Sequence, residues 1–197
     1  LEAVRVNEID YDDLEDLNER YQPNFHETEG YITLCARNMT ADRINQRELS
    51  LLETPEFEFL AEVKGQFDPG LYPADAALRL KKGAQVMFVR NDIEDKRFVN
   101  GTIGKIVQIA SNTIVVEIES FGGKKSKIEV PRTEWEIIRY QSTATGAIET
   151  EVIGSFTQYP LKLAWAITIH KSQGLTFERA TDDGSFASAS IAFFASS

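Results

Sequence analysis

Cysteine occurs once in the 197 residues, at Cys35, and histidine twice, at His26 and His170. One thiol makes no internal disulfide, and three such side chains are too few for a zinc-type ligand set, so a metal centre built on Cys and His is excluded. No run of about 18 apolar residues is present, and the opening LEAVRVNEID has neither a basic nor an apolar stretch, so no membrane span or secretory leader is expected. The pattern G-x-x-x-x-G-K-[ST] is missing too, as is an Asp-Glu pair closing an apolar strand. The phosphates of a nucleoside triphosphate and their Mg²⁺ therefore have no primary cradle in this sequence. What is present, 42% hydrophobic and 26% charged residues, is the composition of a globular chain of one or two domains and excludes disordered or collagen-like classes.

Basic side chains are in deficit, 21 against 31 acidic ones, for a net charge of −10. Phosphate attraction supplies the sequence-independent part of nucleic-acid affinity, so such a balance ordinarily argues against that partner. The average conceals a division. Residues 1–78 hold 18 acidic and 6 basic side chains, and residues 79–197 hold 13 and 15. Any phosphate contact belongs to the second part, and the acidic first part reads as a solvated face or a partner surface.

Residues 6–21 place Ile9, Leu14 and Leu17 among carboxylates, the pattern of an acidic amphipathic helix ending near Arg20, before Pro23. The apolar run 31–36 reads as a strand, and the spacing of Ile44, Leu49 and Leu52 predicts a helix after it, capped by Asn38 or Thr40 and stopped by Pro55. Residues 54–77, with Pro55, Gly65, Pro69, Gly70 and Pro73, are too punctuated for one long element. Short β-rich runs follow at 84–89, 104–110, 113–118, 126–130 and 135–140, broken by Asn100-Gly101, Ser111-Asn112 and Gly122-Gly123. That spacing predicts a small antiparallel barrel. The apolar run 161–169 then reads as one buried parallel strand, which makes the barrel an insertion in an α/β domain.

Thr168, His170, Lys171, Ser172, Gln173 and Gly174 follow that run directly. A burst of polar groups at the carboxyl end of a sheet strand is where α/β folds bind ligands, and these side chains donate readily to phosphate oxygens. A plain strand-to-loop connection with a hydrogen-bonded histidine is the alternative. FVNGTIGK, residues 98–105, suggests a phosphate loop but fails: Lys105 is followed by Ile106 in a β-run, so Asn100-Gly101 is a turn. Arg79, Lys81, Lys82, Arg90, Lys96 and Arg97, near Phe88 and Phe98, form either a cation-and-aromatic surface for a strand of DNA or a solvated face. Lys124, Lys125 and Lys127 form a basic hairpin tip. Trp135, Trp165 and Cys35 read as core residues.

Three of these segments carry a family resemblance. AWAITIHKSQGLTF resembles motif V of superfamily-one DNA helicases of the PIF/RecD-like branch, and YITLCARNMTADRINQREL resembles a strand and helix of that family's second RecA-like lobe. LRLKKGAQVMFVRND with RFVNGTIGKIV resembles the entry into its inserted SH3-like subdomain. The matches stand in the family's order and cover most of residues 17–180.

The resemblance implies an α/β fold: an incomplete RecA-like lobe of P-loop NTPase type over residues 1–92 and 155–197, with a small SH3-like β-barrel at 93–154. It implies the C-terminal motor fragment of an ATP-dependent 5′-to-3′ DNA helicase, inactive alone. Thr168, His170 and Lys171 would meet single-stranded DNA, while Gln173, Gly174 and Thr176 would face the nucleotide; the cation-and-aromatic pattern adds Arg97 and Lys96 to the expected DNA contacts. ATP and Mg²⁺ would belong to the full-length protein and not bind this fragment stably. The implied partners are single-stranded DNA and an N-terminal nucleotide-binding lobe, with no membrane, in an intracellular setting, cytoplasm or nucleoid. The family's closing strand, resembling Y-V-A-L-S-R, ends in an arginine that reaches the γ-phosphate; here IAFFASS puts Ser197 at that place, so the arginine finger is unassigned. A stand-alone nucleic-acid- or protein-binding module built on the barrel is the alternative, and an interaction domain with an acidic partner face a third reading.

Overall fold

In the computed structural model, which describes residues 10–12, 15, 31–120, 123–142, 148–172 and 180–182, the apolar run after Tyr31 is strand β1 (Ile32–Cys35), buried at every position. Burial on both faces is what a continuous apolar run requires, as in parallel sheets whose faces are covered by packed elements. β1 lies between β12 (Ala166–Thr168) and β13 (Ala180–Asp182), parallel to both. Helix α1 (Asn38–Leu51) follows β1. It starts at Asn38 itself, with the Arg37 carbonyl accepting from the Thr40 and Ala41 amides. Ala41, Asn45 and Leu49 are buried at helical spacing. Ala41 packs with Cys35 and Ala166, and Ile44 closes over them.

The chain divides into two compact units, Leu1–Asn45 with Trp165–Ser197, and Gln46–Ala164. The first contains the parallel sheet. The second contains β2 (Glu56–Leu60), β3 (Glu62–Gly65), β4 (Ala77–Lys81), β5 (Gln85–Phe88), β6 (Ile103–Ala110), β7 (Thr113–Ser120), β8 (Lys124–Glu129), β9 (Thr133–Ser142), β10 (Ile148–Gln158) and β11 (Leu161–Leu163). All its pairings are antiparallel, in sheets ordered β11-β5-β6-β7-β8, β3-β10-β9 and β2-β4. The molecule is thus α/β. Sequence analysis sets divisions at 92/93 and 154/155, whereas the compact β unit also takes in 46–92 and 155–164. The punctuated segment 54–77 accounts for much of the difference: its turns separate short strands that pair with β4 and β10.

Alternation shapes the second unit. In β4, Leu78 and Leu80 are buried while Arg79 is exposed and meets its cross-strand partner Glu58 at 2.9 Å. Phe88 stacks on Phe98 at 3.8 Å between ring centres, and Phe156 gathers Phe67, Tyr72 and Trp135 within 6.0 Å. Phe88 and Phe156, with no exposure, each stabilise the fold by about 1.5–3 kcal/mol. Trp135 and Trp165 are half-buried, and Cys35 is fully buried. β8 pairs on one side with β7 and carries exposed Lys124, Lys125 and Lys127, which keeps an edge strand from pairing with another chain.

One expectation is corrected. The run 161–169 is not a single parallel strand. Leu161–Leu163 pairs antiparallel with β5 and Ala166–Thr168 pairs parallel with β1, so the run serves two sheets. Between them Ala164 is taken by Gln85, whose carbonyl accepts the Ala164 amide at 3.0 Å and whose side-chain amide donates to the Ala164 carbonyl at 2.8 Å. Apolarity reports that each residue is buried but not in which sheet. The acidic helix expected over 6–21 falls largely outside the described residues, as does the tail after Asp182. Among the described residues no helix is long and apolar enough to cross a membrane.

Candidate nucleic-acid interface

At the carboxyl end of β12 the chain makes one helical turn, α2 (Ile169–Ser172), closed by the Ser172 hydroxyl donating to the Ile169 carbonyl at 2.7 Å. The turn sorts its side chains. Thr168, opposite Cys35 in the sheet, is 4% exposed and Ser172 6%, while His170 and Lys171 face solvent. Two adjacent hydrogen-bond donors, one a cation, are thereby presented from a short turn. Thr168 presents no comparable surface. Gln173, Gly174 and Thr176 lie outside the described residues.

The second group of expected contacts lies in the loop between β5 and β6. Asp92 organises it, accepting from the Arg97 side chain at 2.6 Å, the Arg97 amide at 3.2 Å and the Asp95 amide at 3.5 Å. Hydrogen bonding from Arg97 holds the Asp92 carboxyl below its ordinary pKa, and the same bond raises that of the Arg97 guanidinium. Arg97 also meets Asp95 at 3.3 Å and lies 6.0 Å from the Phe98 ring centre, so its charge is spent largely inside the loop. Lys96 is exposed, with a left-handed φ of 53°. Three further cations of this stretch are engaged by the fold: Arg79 meets Glu58 at 2.9 Å, Lys81 donates to the Leu52 carbonyl at 3.0 Å, and Arg90 donates to the Glu134 carbonyl at 2.6 Å while lying over Trp135, whereas Lys82 is exposed. Arg97 and Arg132 line an open cleft with Asn112, Glu129 and Tyr159. Sequence reasoning passed over Arg132, whose partners Glu62 and Leu60 are some 70 positions away in sequence.

FVNGTIGK does not fit a triphosphate. Gly101, at φ 93°, is the third residue of a turn closed by the Thr102 amide on the Val99 carbonyl. Gly104 lies within β6, and the space a phosphate would need is filled by the side chains of Val116 and Ile118. Among the described residues no group of three or more His, Cys, Asp or Glu stands ready to hold a metal ion.

A residue with no sequence expectation of its own stands behind α2. Asn45, 8% exposed, accepts the Ala166 amide at 2.9 Å and donates to the Ala166 carbonyl at 2.8 Å. Its signal in the sequence is a polar residue in the middle of the apolar stripe of α1.

A parallel strand delivering exposed polar groups from its carboxyl end, in a chain that also carries an antiparallel β unit, defines an α/β protein, a class in which ligands bind at the carboxyl ends of the strands. Comparison with known proteins makes this specific. Residues 68–109 match the family described as DNA helicase Pif1, 2B domain. The ATP-dependent DNA helicase Pif1 of Campylobacter jejuni is 34% identical over 187 residues, 89% of this chain and 39% of that protein. Unliganded Pif1 from Bacteroides sp. has a similar structure, with a TM-score of 0.82 and 33% identity over 92% of this chain and 41% of that one. Bacteroides Pif1 bound to single-stranded DNA is similar over the same shares, with a TM-score of 0.68. The chain is PIF1-like over most of its length, and it spans about two fifths of the length of these relatives.

Proposed function

We propose that this chain supplies the single-stranded-DNA side, and one wall of the ATP cleft, of an ATP-dependent 5′-to-3′ DNA helicase, and that alone it turns over no ATP. The observation that carries the reading is the pair of exposed donors, His170 and Lys171, held at the carboxyl end of β12. A Bacteroides relative solved with single-stranded DNA supports the partner. In this reading the parallel sheet belongs to a second RecA-like lobe, and residues 93–154 to an inserted SH3-like barrel; the match to the 2B domain, over residues 68–109, overlaps the first part of that insert. The nucleotide-binding lobe, with the cradle for ATP and Mg²⁺, is a separate partner segment, and the protein acts inside the cell on its DNA.

Roles divide by exposure. His170 and Lys171 take the DNA backbone, Lys96 adds an exposed charge, and Arg97 acts chiefly as the organiser of its own loop. Buried Thr168 sets where the turn begins. Gln173, Gly174 and Thr176 face the nucleotide. The test is equilibrium binding of a single-stranded oligonucleotide to the full-length protein without nucleotide. Loss of a charge-assisted hydrogen bond in Lys171→Ala is expected to weaken binding on the order of tenfold to a hundredfold. The slope of log affinity against log salt should also fall by about 0.7, the value for one phosphate contact on a single strand. Unchanged affinity and slope in both His170→Ala and Lys171→Ala would remove the reading.

A further inference from the structure

Along β12 the backbone groups alternate in direction. The Thr33 amide donates to the Trp165 carbonyl at 2.7 Å, so in this parallel ladder the next residue, Ala166, turns its amide and carbonyl away from β1. Among the described residues no strand pairs with β12 on that side. Both groups are buried, since Ala166 is 1% exposed, and buried backbone groups without partners are costly. Asn45 meets both at once, with one oxygen accepting and one nitrogen donating. A primary amide there offers the acceptor and donor that an adjacent strand would offer. Aspartate, acceptor-only at neutral pH, or leucine at the same position could not serve both groups.

The clamp sits just ahead of the exposed turn. β12 has three residues, and His170 and Lys171 follow Ala166 by four and five positions. So short a strand, paired on one side with β1, has few constraints on the direction in which it delivers α2. We propose that Asn45 is a positioning residue: its side chain acts as a surrogate strand for Ala166 and thereby fixes the turn that presents His170 and Lys171 to DNA. The positioning role rests on the DNA reading of that turn, whereas the clamp itself does not.

The experiment uses the full-length protein carrying Asn45→Asp, which keeps the side-chain shape but replaces the donor to the Ala166 carbonyl with a carboxylate oxygen. Asn45→Ala is the second variant. Amide hydrogen exchange followed by peptide mass spectrometry should quicken by about tenfold or more across residues 164–172, the scale expected for losing one buried hydrogen bond, with β6 and β7 unchanged. Nucleotide-free affinity for single-stranded DNA should fall about tenfold, yet in a Lys171→Ala background the same substitution should cost less than about threefold, because the contact it positions is already gone. Unchanged exchange across 164–172 overturns the clamp. Exchange that rises throughout the protein, or affinity losses that add fully in the double variant, overturns the positioning role in favour of a general structural one. If Lys171→Ala and His170→Ala both bind DNA as the parent does, the DNA reading and the positioning role fall together, while the exchange result still decides the clamp.

Discussion

Gly104 marks a point where two strands leave no room for a side chain. A Cβ there would press on Val116 and stand 2.8 Å from the Glu117 carbonyl oxygen and 2.9 Å from the Ile118 side chain. Gly104→Ala should therefore destabilise the β unit by about 1–3 kcal/mol, as overpacking does, read as a lower urea midpoint. The glycines of FVNGTIGK were legible as β-structure, because a lysine followed by isoleucine in a β-run cannot open a phosphate-binding helix. Asp92 was not legible, since its bonds form only once the loop has closed on Arg97. Its depressed pKa gives a signed prediction. A carboxylate held below its unfolded pKa contributes stability above that value and loses it as pH falls through the folded one. The stability difference between the parent and Asp92→Asn should thus be full at neutral pH and vanish on acidification below the ordinary carboxylate range, as followed by thermal melts across pH. A difference that grows on acidification would contradict the assignment.

At the scale of elements, side-chain amides join what the hydrophobic pattern left ambiguous. Gln158, with no exposure, donates to the carbonyls of Phe59 at 2.8 Å and Asp75 at 3.1 Å, and its oxygen accepts the Tyr159 amide at 3.0 Å. It ties the end of β10 to β2 and to the segment before β4. Gln158→Leu would keep the volume but leave the Tyr159 amide without its acceptor and the Asp75 carbonyl without this donor, at a cost of roughly 1–3 kcal/mol in chemical denaturation. Gln85 and Asn45 do similar work on either side of Trp165, which is why the apolar run 161–169 reads as one strand and folds as parts of two sheets. The β runs between 84 and 140 were legible from their turns, and α1 from its stripe. The strands within 54–77 were not, because their pairing partners lie far along the chain and the local signal is dominated by proline and glycine.

For the whole molecule, the acidic total charge conceals a second part in which basic residues slightly outnumber acidic ones, and the exposed donors of α2 lie in that part. Most cations near the β5–β6 loop are engaged within the fold, so the account concentrates DNA contact on a few residues instead of a broad basic face. In the proposed reading the residues from His170 onward serve two ligands, with His170 and Lys171 on DNA and Gln173 on the nucleotide side. The direct test compares Lys171→Ala with Gln173→Ala in the full-length protein, measuring single-stranded-DNA affinity without nucleotide and DNA-stimulated ATP turnover in the same preparations. Lys171→Ala should lose affinity by about tenfold or more, whereas Gln173→Ala should bind DNA as the parent does and lose turnover. Equal losses of nucleotide-free affinity in the two variants, or no loss of affinity or turnover in either, would contradict the account and leave the polar cluster after β12 as a structural turn.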